Sequence, residues 1–247
     1  MQIFTGAAIF DGVRLFHDAA LMVEDGVVAG VAAQAEVPDG ERISLSGGIL
    51  APGMIDLHMH IREEPLPLAY NYYLKLAHGV TTQVPNADRG LEKAMREVRL
   101  SERNEILAPR MYPLWTWEKL AGYTREELED PKQAPRIAKE IVAKGAHVVY
   151  VGNIAWSAEL FGAVCKAVTE AGGITSVHLP PSTTAVVNAV KAAKLGVTMI
   201  EHHYGYAESA LDRTIQDFPR DYNYDDESDR FRHAGVVWTE AMREPAR

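Results

Sequence analysis

Short apolar pieces and turn signals alternate through the first fifty residues of the chain. Ile3-Phe4, Ala7-Ala8-Ile9-Phe10, Ala20-Leu21-Met22-Val23 and Val27-Val28-Ala29 are apolar or β-forming, and Asp11-Gly12, Asp25-Gly26 and Asp39-Gly40 separate them. Asp-Gly between apolar runs marks a hairpin, because both residues accept the positive φ of a tight reversal. The pattern predicts a small antiparallel sheet. From about residue 53 the rhythm changes. Strand-like runs at 54–58, 80–84, 110–114, 147–151, 174–179 and 198–202 alternate with helix-like stretches near 66–78, 89–107, 131–143, 157–171 and 183–194. Gly172-Gly173 and Gly196 close two of those helices, as glycine does at a C-terminal cap. Alternation of this kind predicts an α/β fold with a parallel sheet covered by helices. Six βα units are present. They fit an incomplete (β/α)8 barrel, whose active site would lie at the C-terminal strand ends; a doubly wound open sheet is the alternative. A last helix is expected over about 226–242, after an acidic and aromatic loop from Arg220 to Glu227. The expected division is therefore 1–52 and 53–247.

Composition narrows the function. With 47% hydrophobic and 24% charged residues, the 247-residue chain can bury a large core. A net charge of -9 speaks against a nucleic-acid partner, which requires a basic surface. No apolar run reaches the roughly 18 residues of a membrane span. No basic segment followed by a hydrophobic run opens the chain, so a cytoplasmic protein is expected. Cys165 is the single cysteine and sits in a helical apolar pattern with Leu160, Phe161, Val164 and Val168. It is expected in the core, which excludes a disulfide framework and a cysteine zinc site.

Histidine placement carries the chemistry. His58 and His60 stand two residues apart at the end of the first strand of the second region. Side chains at i and i+2 of a strand point the same way, so the two can share one ion. His178 ends the run Ile174-Thr175-Ser176-Val177-His178, and His202 ends Met199-Ile200-Glu201-His202. One histidine at a strand end is an ordinary loop-edge polar residue. Four at the ends of parallel strands that converge on one mouth point to a metal site. His203 would point away if His202 points in, and His78 suits a helix C-terminus. A divalent ion held by neutral imidazoles lowers the pKa of bound water to ~7 and polarises a carbonyl, which suits hydrolysis.

The run Pro52-Gly53-Met54-Ile55-Asp56-Leu57-His58-Met59-His60 resembles the first-strand motif of the amidohydrolase superfamily of metal-dependent hydrolases. Gly79-Val80-Thr81-Thr82 is similar to its second-strand segment, and Ser176-Val177-His178 and Ile200-Glu201-His202 to its fifth- and sixth-strand histidines. Ile9-Phe10-Asp11-Gly12, Val23-Glu24-Asp25-Gly26 and Ile49-Leu50-Ala51-Pro52 resemble the small β-sandwich that precedes the barrel. The resemblance implies hydrolysis of a non-peptide carbon–nitrogen bond, often cyclic, in a small-molecule substrate. It implies a divalent metal, zinc above all, on His58, His60, His178 and His202. His58-Met59-His60-Ile61-Arg62-Glu63-Glu64-Pro65 and Pro85-Asn86 resemble the dihydroorotase-type segments that bind a substrate carboxylate, which makes Arg62 and Asn86 substrate-binding candidates. The tail from Gln216 to Phe231 is closer to imidazolonepropionase-like members, so dihydroorotase activity is not implied.

Two departures shape the expectation. Binuclear members carry a carboxylated lysine on the fourth strand; Tyr150 occupies that place, which implies one ion rather than two. The family's catalytic base is an aspartate ending the eighth strand, and no run after Val236-Val237 has that pattern. Asp221, Asp225, Asp226 and Asp229 stand in a different context. The catalytic base is thus left unassigned, and the barrel is expected to lack its last two units. An open barrel edge is costly, so a fragment, a truncated gene product, or half of an assembly in which a second copy or another chain closes the barrel is expected. The competing expectation is a remnant that keeps the histidines and serves as a metal-binding or interaction protein.

Overall fold

The computed structural model describes residues 1–61, 65–86, 90–179, 186–211, 221–223 and 226–243. It divides into two compact units, Met1–Met54 and Ile55–Arg247.

The first unit holds two small sheets. One runs in the order β5-β4-β1-β6, from β1 (Gln2–Thr5), β4 (Ala19–Glu24), β5 (Val27–Ala33) and β6 (Glu41–Ser44). The other runs β3-β2-β7, from β2 (Ala8–Phe10), β3 (Leu15–Phe16) and β7 (Ile49–Leu50). Asp25 and Gly26, both at positive φ, make the two-residue turn between β4 and β5 that the Asp-Gly signal predicts. The sheets are mixed rather than antiparallel, since β1 pairs with β6 and β2 with β7 in parallel. Hairpin signals report only strands adjacent in sequence, so these longer-range pairings leave no local mark.

The second unit alternates strand and helix. Its strands are β8 (Met54–Met59), which begins at the boundary, β9 (Val80–Pro85), β10 (Arg110–Met111), β11 (Leu114–Thr116), β12 (Val148–Tyr150), β13 (Ile174–Val177) and β14 (Met199–Ile200). Its helices are α1 (Leu68–Ala77), α2 (Leu91–Glu102), α3 (Arg125–Glu129), α4 (Ala134–Ala143), α5 (Ala158–Glu170), α6 (Ala189–Lys194), α7 (Tyr206–Ala210) and α8 (Glu227–Arg243). The third strand-like run is split into β10 and β11 at Tyr112-Pro113, where proline removes a ladder donor. The short helices α3 and α7 carry no sequence expectation; α3 is set by a capping box between Thr124 and Glu127.

All pairings in this unit are parallel. β8-β9-β10 form one sheet and β11-β12-β13-β14 another, and a parallel bridge between Asn86 and Leu114 joins them. The six strand positions therefore follow sequence order without the reversal that defines a doubly wound sheet. The main core lies between the sheet and its helices. Val149, Val151 and Val177 pack there against Ile137 and Ile141 of α4 and Leu160, Phe161, Val164 and Cys165 of α5. Ser157 caps α5 by accepting from the Leu160 N–H, and Gly172 at φ 90° takes the chain out of it. Cys165 is buried as expected, and burial raises its thiol to about 12, so it behaves as an inert apolar group. Among the described residues no helix is long and apolar enough to cross a membrane.

Candidate metal centre

Strand alternation decides which face each candidate occupies. Met59 packs with Tyr72, Val98 and Met111 on the helix side of β8, so His58 takes the opposite face with His60 beyond it, while the Asp56 carboxylate pairs with Lys75 of α1. Val149 and Val177 belong to the helix-side core, which places Tyr150, Ser176 and His178 opposite. In β14, Ile200 packs on the helix side and Met199 joins the second face with Val84, Leu114 and Val148. Glu201 continues on the side of Met199.

On that face the four expected histidines form a row at the C-terminal strand ends. The ring centroids of His60 and His58 lie 5.1 Å apart, those of His58 and His202 4.8 Å, and those of His202 and His178 5.1 Å. The tightest set of possible ligands is not the four histidines but His58, His202 and Glu201, with one ligand atom of each within 4.8 Å of the others. His60 flanks this set on the side of His58 and His178 on the side of His202. Donors around a tetrahedral zinc with ~2.0–2.2 Å bonds stand about 3.4 Å apart, so modest inward rotation of the side chains would close the set on an ion.

Glu201 was not a candidate from the sequence. A strand read through to His202 puts Glu201 and His202 on opposite faces. The strand instead ends at Ile200, and His202 has a left-handed backbone at φ 55° that returns its ring to the face of Glu201. Histidine is among the residues that tolerate this region best. The signal available was the Glu-His doublet itself, read with a strand two residues shorter. His203 packs on Tyr204 and Phe231, with ring centroids 4.4 and 6.0 Å away. His78 caps the C-terminus of α1, its Nδ1 2.8 Å from the Leu74 carbonyl.

The Glu201 side chain is 4% exposed, and its Oε2 lies 3.3 Å from His58 Nδ1. Its other oxygen accepts a short hydrogen bond from the Ser176 hydroxyl. Burial by itself raises the carboxyl. The hydrogen bonds from His58 and Ser176 and the charges of His58 and His178 outweigh it and hold Glu201 below its ordinary range. Burial, aided by repulsion from His58, lowers His202 despite the attraction of Glu201. A lowered imidazole is neutral at pH 7, which is the ligating form.

The other candidates divide. Asn86 follows β9, and its backbone N–H donates to the Met59 carbonyl at 2.8 Å. Its amide nitrogen lies 3.3 and 3.4 Å from the two ring nitrogens of His60, so it approaches the ring as a whole rather than one lone pair. Arg62 lies outside the described residues. Tyr150, in register with Thr116 on β11 and Ser176 on β13, occupies the layer beneath the histidines.

These shifts predict how stability responds to acid. Burial also lowers His233 on α8, against the pull of Glu208. Below an ordinary histidine value of 6.5, the unfolded chain takes up protons that the folded His202 and His233 refuse. Stability is therefore full above pH 6.5 and falls as pH drops toward the folded values; Glu201 adds a second loss below 4.5. The urea midpoint of the metal-free protein is expected to decline steadily from pH 7 to pH 4. A midpoint that rises over that interval contradicts these environments.

No family model matches the chain. Over 208 residues it is 29% identical to adenine deaminase 2 of Rhizobium etli, an alignment covering 80% of this chain and 34% of that protein. Over 131 residues it is 32% identical to the imidazolonepropionase of Klebsiella pneumoniae, covering 49% of this chain and 32% of the relative. The chain thus spans about a third of the length of these curated relatives. A solved Xaa-Pro dipeptidase superposes with a TM-score of 0.57 at 16% identity, over 81% of this chain and 61% of the other, which is a likeness of fold. The sequence relatives, adenine deaminase, imidazolonepropionase and dihydroorotase, are all amidohydrolases, the superfamily whose motifs those of β8, β13 and β14 resemble.

Proposed function

We propose that the chain is the metal-binding part of a hydrolase that cleaves a non-peptide carbon–nitrogen bond in a small-molecule substrate. The observation that carries this reading is the meeting of His58, His202 and Glu201 at one point, with His60 and His178 on either side. In this reading residues 1–52 are a small β-sandwich segment and residues 53–247 supply six βα units of a (β/α)8-type barrel. His58, His60, His178 and His202 hold one divalent ion, zinc by the preference of imidazole donors. Tyr150 in the place of a bridging lysine favours one ion, since a phenol cannot form a carbamate. The ion supplies the acidity that makes water a nucleophile at neutral pH and polarises the substrate carbonyl.

The protein's own groups prepare that chemistry. His202 is kept neutral by burial and by the neighbouring rings. Glu201 offsets the positive charge gathered at the site while staying out of water. Asn86, at the His60 edge, presents an amide to whatever lies above the row; its role with Arg62 in holding a substrate carboxylate belongs to the same proposal.

The purified protein is expected to carry a stoichiometric divalent ion. It is expected to hydrolyse at least one member of a panel of cyclic amides, ureas and N-acyl amino acids, with activity lost to chelators. A sub-stoichiometric ion content that does not change in a variant carrying both His58→Ala and His178→Ala would refute the metal site.

A further inference from the structure

We propose that Glu201 is the positioning residue of the His58 imidazole, and that Ser176 in turn positions Glu201. The three residues come from different strands: Ser176 from β13, Glu201 from the end of β14, and His58 from β8 at the other end of the strand order. The functional consequence of this arrangement rests on the metal reading given above; the arrangement itself does not.

The geometry separates three roles open to a carboxylate at such a place. A catalytic base needs an oxygen turned toward water. Glu201 has one oxygen 3.3 Å from His58 Nδ1 and the other on the Ser176 hydroxyl, and its side chain is 4% exposed. A direct metal ligand would have to turn an oxygen away from one of these partners and leave a buried polar atom behind, at a cost of about 1–3 kcal/mol. A positioning role uses the Ser176 hydrogen bond and the 3.3 Å approach to His58 Nδ1 as they stand. A carboxylate against Nδ1 selects the tautomer with the proton on Nδ1, so that the lone pair is on Nε2. It also fixes the plane of the ring and makes Nε2 more basic. Metal-bound histidines commonly donate their second nitrogen in this way, and loss of the outer partner lowers metal affinity by about 10–100-fold. Ser176 completes the device, because a carboxylate with one oxygen unpaired would rotate.

Two measurements on the full chain test this. The first uses the metal-free protein labelled with 15N-histidine. At a pH above the histidine range, His58 is expected to carry its proton on Nδ1 and not on Nε2. In Glu201→Ala the ring should sample both tautomers. Glu201→Gln, whose amide oxygen still accepts, should keep the wild-type pattern and guard against a misfolded alanine variant. The second is calorimetric titration with Co(II). Glu201→Ala is expected to weaken binding about 10–100-fold and Ser176→Ala by less than about tenfold, with Glu201→Gln closer to wild type than Glu201→Ala.

An unchanged His58 tautomer in Glu201→Ala overturns the proposal. So does a loss of Co(II) affinity in Glu201→Ala equal to that in His58→Ala, together with a change in the Co(II) visible spectrum, because that makes Glu201 a ligand. If the wild-type protein binds no Co(II), the metal reading fails, and the tautomer measurement alone decides the role of Glu201.

Discussion

Alanine at position 58 is expected to lower affinity for a divalent ion by more than about a hundredfold, beyond the loss expected for an outer hydrogen-bond partner. His58 is the hub of the site. Its ring is 5.1 Å from that of His60 and 4.8 Å from that of His202, and its Nδ1 meets Glu201. Removing it deletes a ligand and also strands a carboxylate that is 4% exposed. Leaving a buried carboxylate without a hydrogen-bond donor costs about 1–3 kcal/mol, so the variant should be less stable as well as metal-poor. His178→Ala should do less of both, because His178 stands at the end of the row and packs on Tyr204, with centroids 5.2 Å apart. Titration calorimetry and urea unfolding of the two variants side by side check the ranking. A His58→Ala protein with the affinity of the wild type would remove His58 from the centre.

The second large effect is expected at a glycine, where packing and not charge decides the outcome. Gly152 follows β12, and a β-carbon there would lie 2.5 Å from Cζ of Tyr150 and 2.7 Å from the carbonyl oxygen of His178. Neither neighbour has an easy retreat. The Tyr150 ring is part of the packed face with Val84, Leu114 and Val148, and the His178 oxygen is backbone. Gly152→Ala therefore has to push one strand end away from another, with an overpacking cost of about 1–3 kcal/mol. Because the displaced groups are Tyr150 and His178, metal affinity should fall along with the thermal midpoint. Gly172→Ala is the contrast. Its φ of 90° makes it unfavourable for conformational reasons, yet nothing lies within 4 Å of the added carbon, so it should leave metal binding as it is. Equal metal affinity in Gly152→Ala and wild type would show that the close packing does not bear on the site.

The regions that were legible in the sequence are those where local pattern and global fold agree. Apolar positions at helical spacing in α5 and capping at Ser157 state a helix whatever surrounds it. The His-x-His of β8 declares one face because strand alternation holds there. Legibility failed where a longer-range demand overrode the local rule. Pro113 splits one expected strand into β10 and β11, and the parallel partners of β1 and β2 lie too far along the chain to leave a hairpin signal. At the site itself, a single left-handed residue reverses the expected partition of Glu201 and His202. A buried carboxylate beside a histidine row is a property of three strands at once, and no window of sequence contains it.

The order of the six strands has a kinetic corollary. Each neighbouring pair in the sheet is one βα unit, so most of the second unit can form through loops of modest length, each closed at a similar entropic cost. The Glu201–His58 pair joins the first strand of the unit to the last among the described residues and encloses most of the unit in its loop. It should be among the last contacts to form and the first to open. An ion that needs both residues would then bind only the fully assembled unit, raising the barrier to unfolding without hastening folding. Metal loading would thereby lengthen the life of the native state, a benefit separate from any reaction the site performs.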